Sequence, residues 1–172
     1  VLEGPSVVVQ NLLRGQLQQI DEIGKTIVLK EVKVLRNGTW EAYQPMLTLP
    51  FNADSPVYCA GQKVLLNNLK QYRGKSLYAA ISNKLGRDRI EKMVINRQYE
   101  TTWKEKIDRI KWYGEALELA NQRNFTYNQG TIVIKNNRLM GAEALTSGLD
   151  TVLIADNMGT ANVINVLDAG LN

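Results

Sequence analysis

The chain has 172 residues, 44% of them hydrophobic and 22% charged, a composition that belongs to a globular domain and excludes a disordered segment. It contains no histidine and one cysteine, Cys59, which excludes histidine-based nucleophiles, histidine metal sites, zinc ribbons, iron–sulfur clusters and an intramolecular disulfide. The net charge of +4 is unevenly spread, with thirteen Lys/Arg against five Asp/Glu in residues 61–112, five against six in residues 1–60 and three against six in residues 113–172.

Residues 1–9 hold Gly4-Pro5-Ser6 and three valines, which predicts an extended arm that packs on the body or on a partner. From residue 10 to 23, Leu13, Leu17 and Ile20 recur at spacings of four and three, with Gln16, Gln18 and Gln19 off that stripe. This predicts a short helix ended by Gly24. Residues 26–83 change character, with β-branched or alternating runs at 26–35, 40–49, 57–60, 63–66 and 75–81. Asn37-Gly38 marks a tight turn, and Pro45 marks the second run as an edge strand or a bulge. Cys59 sits in an apolar run and reads as a buried, inert thiol. Five short strands in this span predict a small barrel or sandwich.

Residues 84–98 fit either a strand or a helical turn. Thr102-Trp103-Lys104-Glu105 matches a capping box, and Trp103, Ile107, Ile110, Tyr113, Leu117 and Ala120 follow at spacings of four and three. They predict a long amphipathic helix over 102–123. The tail returns to β structure, with one hairpin across Asn136-Asn137 and a second across residues 156–159. The expected fold is mainly β (α+β), a small β-barrel or β-sandwich with one long amphipathic helix and a β-rich C-terminal tail. Residues 1–24 are expected as an arm and short helix, and 25–172 as a single β-rich domain.

Motifs for catalysis are sparse. Gly24-Lys25-Thr26 and Gly74-Lys75-Ser76 mimic the end of a phosphate loop, but the required earlier glycine is replaced by Gln19 and Leu69. Both read as turns with solvated lysines. Glu31 and Lys33, with Asp21 upstream, have the residue types of a metal-dependent nuclease core, but an alternating strand places such a pair on a solvated face. No catalytic residue, metal or cofactor is expected. No run of eighteen apolar residues predicts a membrane span, and no signal peptide is visible, so the expected location is cytoplasmic or virion.

Two functional readings follow. Residues 61–78 resemble a pair of strands from an oligonucleotide-binding barrel. That resemblance implies a single-stranded nucleic-acid binder, with Lys63, Lys70, Arg73 and Lys75 on the backbone and Tyr72 and Tyr78 stacking bases. Arg87, Arg89, Lys92 and Arg97 extend the basic track. The preferred reading is a non-catalytic structural subunit whose partners are copies of itself or other assembly proteins, the basic middle meeting acidic ends of a neighbour. Val7, Val8, Val9 and Trp112 are its candidate interface residues. Small β proteins of this size with one packed helix are similar in outline to virion components such as phage tail or head–tail parts.

Overall fold

The computed structural model describes residues 7–51, 55–96, 101–148, 151–157 and 159–167, and they form a mainly β structure of two sheets. After a short β1 (Val7–Val8), the first half supplies β2 (Asn11–Asp21), β3 (Thr26–Arg36), β4 (Thr39–Pro50), β5 (Val57–Cys59), β6 (Gln62–Lys63), β7 (Ser76–Lys84) and β8 (Arg87–Asn96). These last seven make one sheet in the order β4-β3-β2-β7-β8-β5-β6, antiparallel except where β5 runs parallel to β8.

The second half supplies β9 (Thr101–Lys111), β10 (Ala116–Leu119), β11 (Asn124–Thr126), β12 (Ile132–Lys135), β13 (Arg138–Met140), β14 (Thr151–Asn157) and β15 (Thr160–Leu167). Together with β1 they make the other sheet, in the order β1-β13-β12-β15-β11-β10-β9-β14. β14 also pairs β15 along its other edge, so this sheet curls over its own core. The β11–β15 junction is one residue pair, Thr126 with Thr160, and neither sheet is closed into a barrel.

Three apolar clusters hold the sheets. The first lies on one face of the first sheet, where Leu13, Leu17, Leu29, Leu77 and Ile95 are buried beneath Leu69 of the 3-10 helix Leu66–Tyr72. The second lies inside the curl of the second sheet, around Ile107, Leu117, Phe125, Val152 and Ile164. The third joins them. Leu12, Tyr78, Ala80 and Val94 on the reverse face of the first sheet pack against Ile132, Ile134 and Val163 of the second. Strands β12 and β15 therefore serve two cores, Val133 and Ile164 facing one way, Ile132 and Val163 the other, as the two-residue pleat requires.

Neither expected α-helix forms among the described residues, where the helical segments are two short 3-10 turns, Leu66–Tyr72 and Ala142–Ala144. The stripe at 13, 17 and 20 belongs to β2. Leu13, Gly15 and Leu17 alternate inward, and a bulge between Leu17 and Gln19 advances the phase so that Ile20 rejoins the core side. The stripe over 102–123 is the hairpin β9–β10. Trp103, Glu105 and Ile107 alternate inward, and the bulge opposite Glu118 and Leu119 skips Asp108, which sets Ile107 and Ile110 three apart. Tyr113 is fully exposed at the hairpin tip. In both cases β-bulges convert a period of two into an apparent 3.6.

Several expectations are met. Asn37-Gly38 closes β3–β4 and Asn136-Asn137 closes β12–β13, all four residues in the left-handed region. In the stretch 84–98, open between strand and helical turn, Lys84 ends β7, a turn follows at 85–86 and residues 87–96 form β8; β4 is an edge strand, and Cys59 is buried.

Candidate functional site

Residues 61–78, expected as two barrel strands, form instead the short β6, the 3-10 helix and the start of β7. Their polar side chains pack along β2. Gln16 Nε2 donates to Gly74 O (2.7 Å), Arg73 Nε to Gln18 O (3.3 Å), and Lys70 Nζ lies 3.9 Å from Glu22. Lys63, on the edge strand β6, and Lys75, just before β7, are exposed. The aromatic half of the expected platform is missing. Tyr78 is fully buried between the sheets, tilted on Trp40 at 5.8 Å, and Tyr72 is half-buried against the first core.

The remaining cations lie elsewhere. Arg87 starts β8 opposite Lys84, so the length of β7, about 27 Å, separates it from Lys75. Arg89 pairs with Glu91 at 3.5 Å. Lys92 points between the sheets, and Arg97 lies outside the described residues. Antiparallel pairing thus mixes charges that the linear sequence separates, and among the described residues no continuous basic track joins these cations. Of the expected interface residues, Val9 is buried in the core between the sheets and Val7 is half-buried. Val8 and Trp112 are about half exposed, at 50% and 51%.

No family model, curated protein or solved structure matches the chain. Two local features of the molecule therefore define its candidate surfaces.

One is the outer edge of the first sheet. β4 is twelve residues long and pairs only with β3 among the described residues. Ala42, Tyr43, Gln44, Pro45 and Met46 are exposed in succession, so both faces of the strand are open there. Glu41 is the strand's single charge, and it carries no lysine. Pro45 correctly signalled an edge. The exposure of Tyr43 and Met46 was not readable, because an alternating strand ordinarily buries one face.

The other is a cleft of about 320 Å³ where the second sheet meets β8. Lys92 of β8 reaches into it and donates to Thr131 O (2.7 Å), with its ammonium 5.5 Å from the centre of the Tyr58 ring. No carboxylate lies within ion-pairing distance of it among the described residues. Burial lowers its pKa from 10.5 to about 8. The turn before β12 forms one wall and is tied down on all sides. Asn128 Oδ1 accepts from Gly130 N (2.8 Å), Thr131 Oγ1 donates to Ala161 O (2.7 Å), and Gln129 Nε2 donates to Gly61 O (2.8 Å). A Cβ on Gly130 would lie 2.6 Å from that of Tyr58, so glycine is required for this close approach.

Trp112, Glu115 and Glu143 complete the lining beside Tyr127. The Tyr127 hydroxyl is pushed above its usual pKa by burial and then by the Glu115 and Glu143 carboxylates. These groups come from β8, the β9–β10 tip, the turn before β12 and the second 3-10 turn, so no sequence motif announces them. Among the described residues no group of three or more His, Cys, Asp or Glu is placed to hold a metal ion, and no helix is long and apolar enough to cross a membrane.

Proposed function

We propose that this chain is a non-catalytic structural subunit that assembles with copies of itself along β4. One observation carries the reading. A twelve-residue edge strand presents its unpaired backbone groups together with Tyr43 and Met46, without the lysines that ordinarily protect such an edge. Pro45 removes one donor from the row and leaves the others. The other end of this sheet, β6, is only two residues long and offers little to a continuing sheet. A two-fold contact of β4 with β4 therefore buries more edge than a head-to-tail contact of β4 with β6. Charge supports the reading less than the sequence suggested, because Lys70, Arg89 and Arg109 already face Glu22, Glu91 and Glu118 within the chain. A virion role remains part of this proposal, supported by size and β content but no longer by a packed helix.

Light scattering coupled to size exclusion tests it. The wild type is expected to run at the mass of a dimer or larger, and Tyr43→Lys with Met46→Lys at the mass of one chain with an unchanged circular dichroism spectrum. A wild type that stays monomeric over a hundredfold concentration range overturns the proposal, as does a double variant that keeps the wild-type mass. Retention of oligothymidine at low salt, lost in Lys70→Glu with Arg73→Glu, would favour the nucleic-acid binder instead.

A further inference from the structure

We propose that the cleft between Lys92 and Trp112 is a binding site for an uncharged saccharide. It does not depend on the assembly reading. Four features of the cleft carry it. Its volume of about 320 Å³ falls at the lower end of small-ligand sites. Lys92 spends one N–H on Thr131 O and has no acidic partner among the described residues, which leaves two strong donors at the cleft. Glu115 and Glu143, both exposed, add acceptors within electrostatic reach of the Tyr127 hydroxyl. Trp112 is 51% exposed at the rim, a large apolar ring that the protein itself leaves half uncovered.

The charge balance selects among ligands. One ammonium and two carboxylates oppose a phosphate or sulfate through Glu115 and Glu143, and oppose a simple cation through Lys92. A sugar hydroxyl both donates and accepts, so it satisfies the carboxylates and the ammonium at once without bringing charge. The C–H face of a pyranose ring matches the apolar face of Trp112, as an amphipathic aromatic with one side dry and one side wet allows. The wall is preformed, since Asn128, Gln129 and Thr131 are held by hydrogen bonds inside the protein, and little ordering cost falls on the ligand. The lowered pKa of Lys92 agrees with an ammonium kept from bulk water.

The test uses the full chain and a panel of glucose, galactose, mannose, N-acetylglucosamine and their linear trisaccharides, followed by tryptophan fluorescence and by calorimetry. At least one member is expected to bind saturably with one site per chain. Trp112→Ala and Lys92→Met should each weaken that sugar about tenfold or more, a loss of about 1.4 kcal/mol. Both should keep the wild-type circular dichroism spectrum. Trp103→Phe serves as a control that leaves binding in place, because Trp103 is covered by Arg123 at 3.9 Å and lies outside the cleft. Absence of saturable binding across the panel overturns the proposal. So does binding that survives both cleft substitutions, or preferential binding of inorganic phosphate abolished by Lys92→Met. Because the variants alter the β9–β10 tip and β8 rather than β4, a lost oligomer and a lost sugar site are read by different substitutions.

Discussion

Lys92 is the residue whose chemistry depends most on its surroundings. Its ordinary pKa is 10.5, and in the folded chain burial brings it to about 8. Between these values the unfolded chain binds the proton that the folded chain has released, so stability increases as pH rises from about 8 to 10.5. Below pH 8 the confined ammonium costs up to about 3 kcal/mol, reduced by the solvent that still reaches it. Comparing urea midpoints of the wild type and Lys92→Met across this window should show the wild type gaining on the variant as pH rises. Parallel curves would mean that the ammonium is solvated in both states. Within a stretch that fits either a strand or a helical turn, Lys92 reads in the sequence as one of four cations extending a basic track. Its burial follows from β8 lying against β12, a contact between residues 39 apart that no local pattern encodes.

At the scale of elements, the 3-10 helix Leu66–Tyr72 acts as a lid on the first core through Leu69, with Tyr72 half-buried beside it. Leu69 is fully buried, whereas Leu65 just before it is 60% exposed. Leu69→Ala should lower the unfolding free energy by about 2–5 kcal/mol, and Leu65→Ala should change it by less than about 0.5 kcal/mol. Equal effects in urea unfolding would contradict the lid. Elements bounded by turn chemistry were legible. Asn37-Gly38 and Asn136-Asn137 name their hairpins because few residues other than glycine and asparagine adopt positive φ readily. Part of the chain's asparagine content is explained by these turns. The two expected helices were misread because β2 and β9 carry bulges, and a bulge shifts a two-residue alternation into spacings of three and four. Of the two architectures expected, a small barrel or a sandwich, the barrel does not form: the strands make two sheets, neither closed into a barrel.

For the whole molecule, the decisive feature is the core shared between the sheets. β12 and β15 bury one face in the second core and the other against β7 and β8, so neither half of the chain keeps its apolar surface covered alone. The two sheets should unfold together. Trp40 reports on the first sheet and Trp103 on the second, and their fluorescence transitions in urea should coincide with each other and with circular dichroism. Single-tryptophan variants make the comparison clean, and two separated midpoints would mean that the sheets are independent units. Val163→Ala should shift both probes by the same amount, since Val163 is fully buried at the junction. The charge pattern also changes meaning at this scale. Glu22 beside Lys70 and Glu118 beside Arg109 bring the acidic ends of the sequence onto its basic middle within one chain.

The sequence by itself determined what is local or compositional: a globular β-rich chain, its tight turns, an edge marked by proline, a buried cysteine, and the absence of histidine chemistry. These follow from backbone sterics and from residue types, which need no partner to act. Only the tertiary structure decided the number of sheets, the fate of the two amphipathic stripes, the pairing of charges, and the gathering of Lys92, Trp112, Glu115 and Glu143 around one cleft. Each of these depends on strands distant in sequence meeting in register, and the free energy that selects the register comes from cores assembled by both halves of the chain.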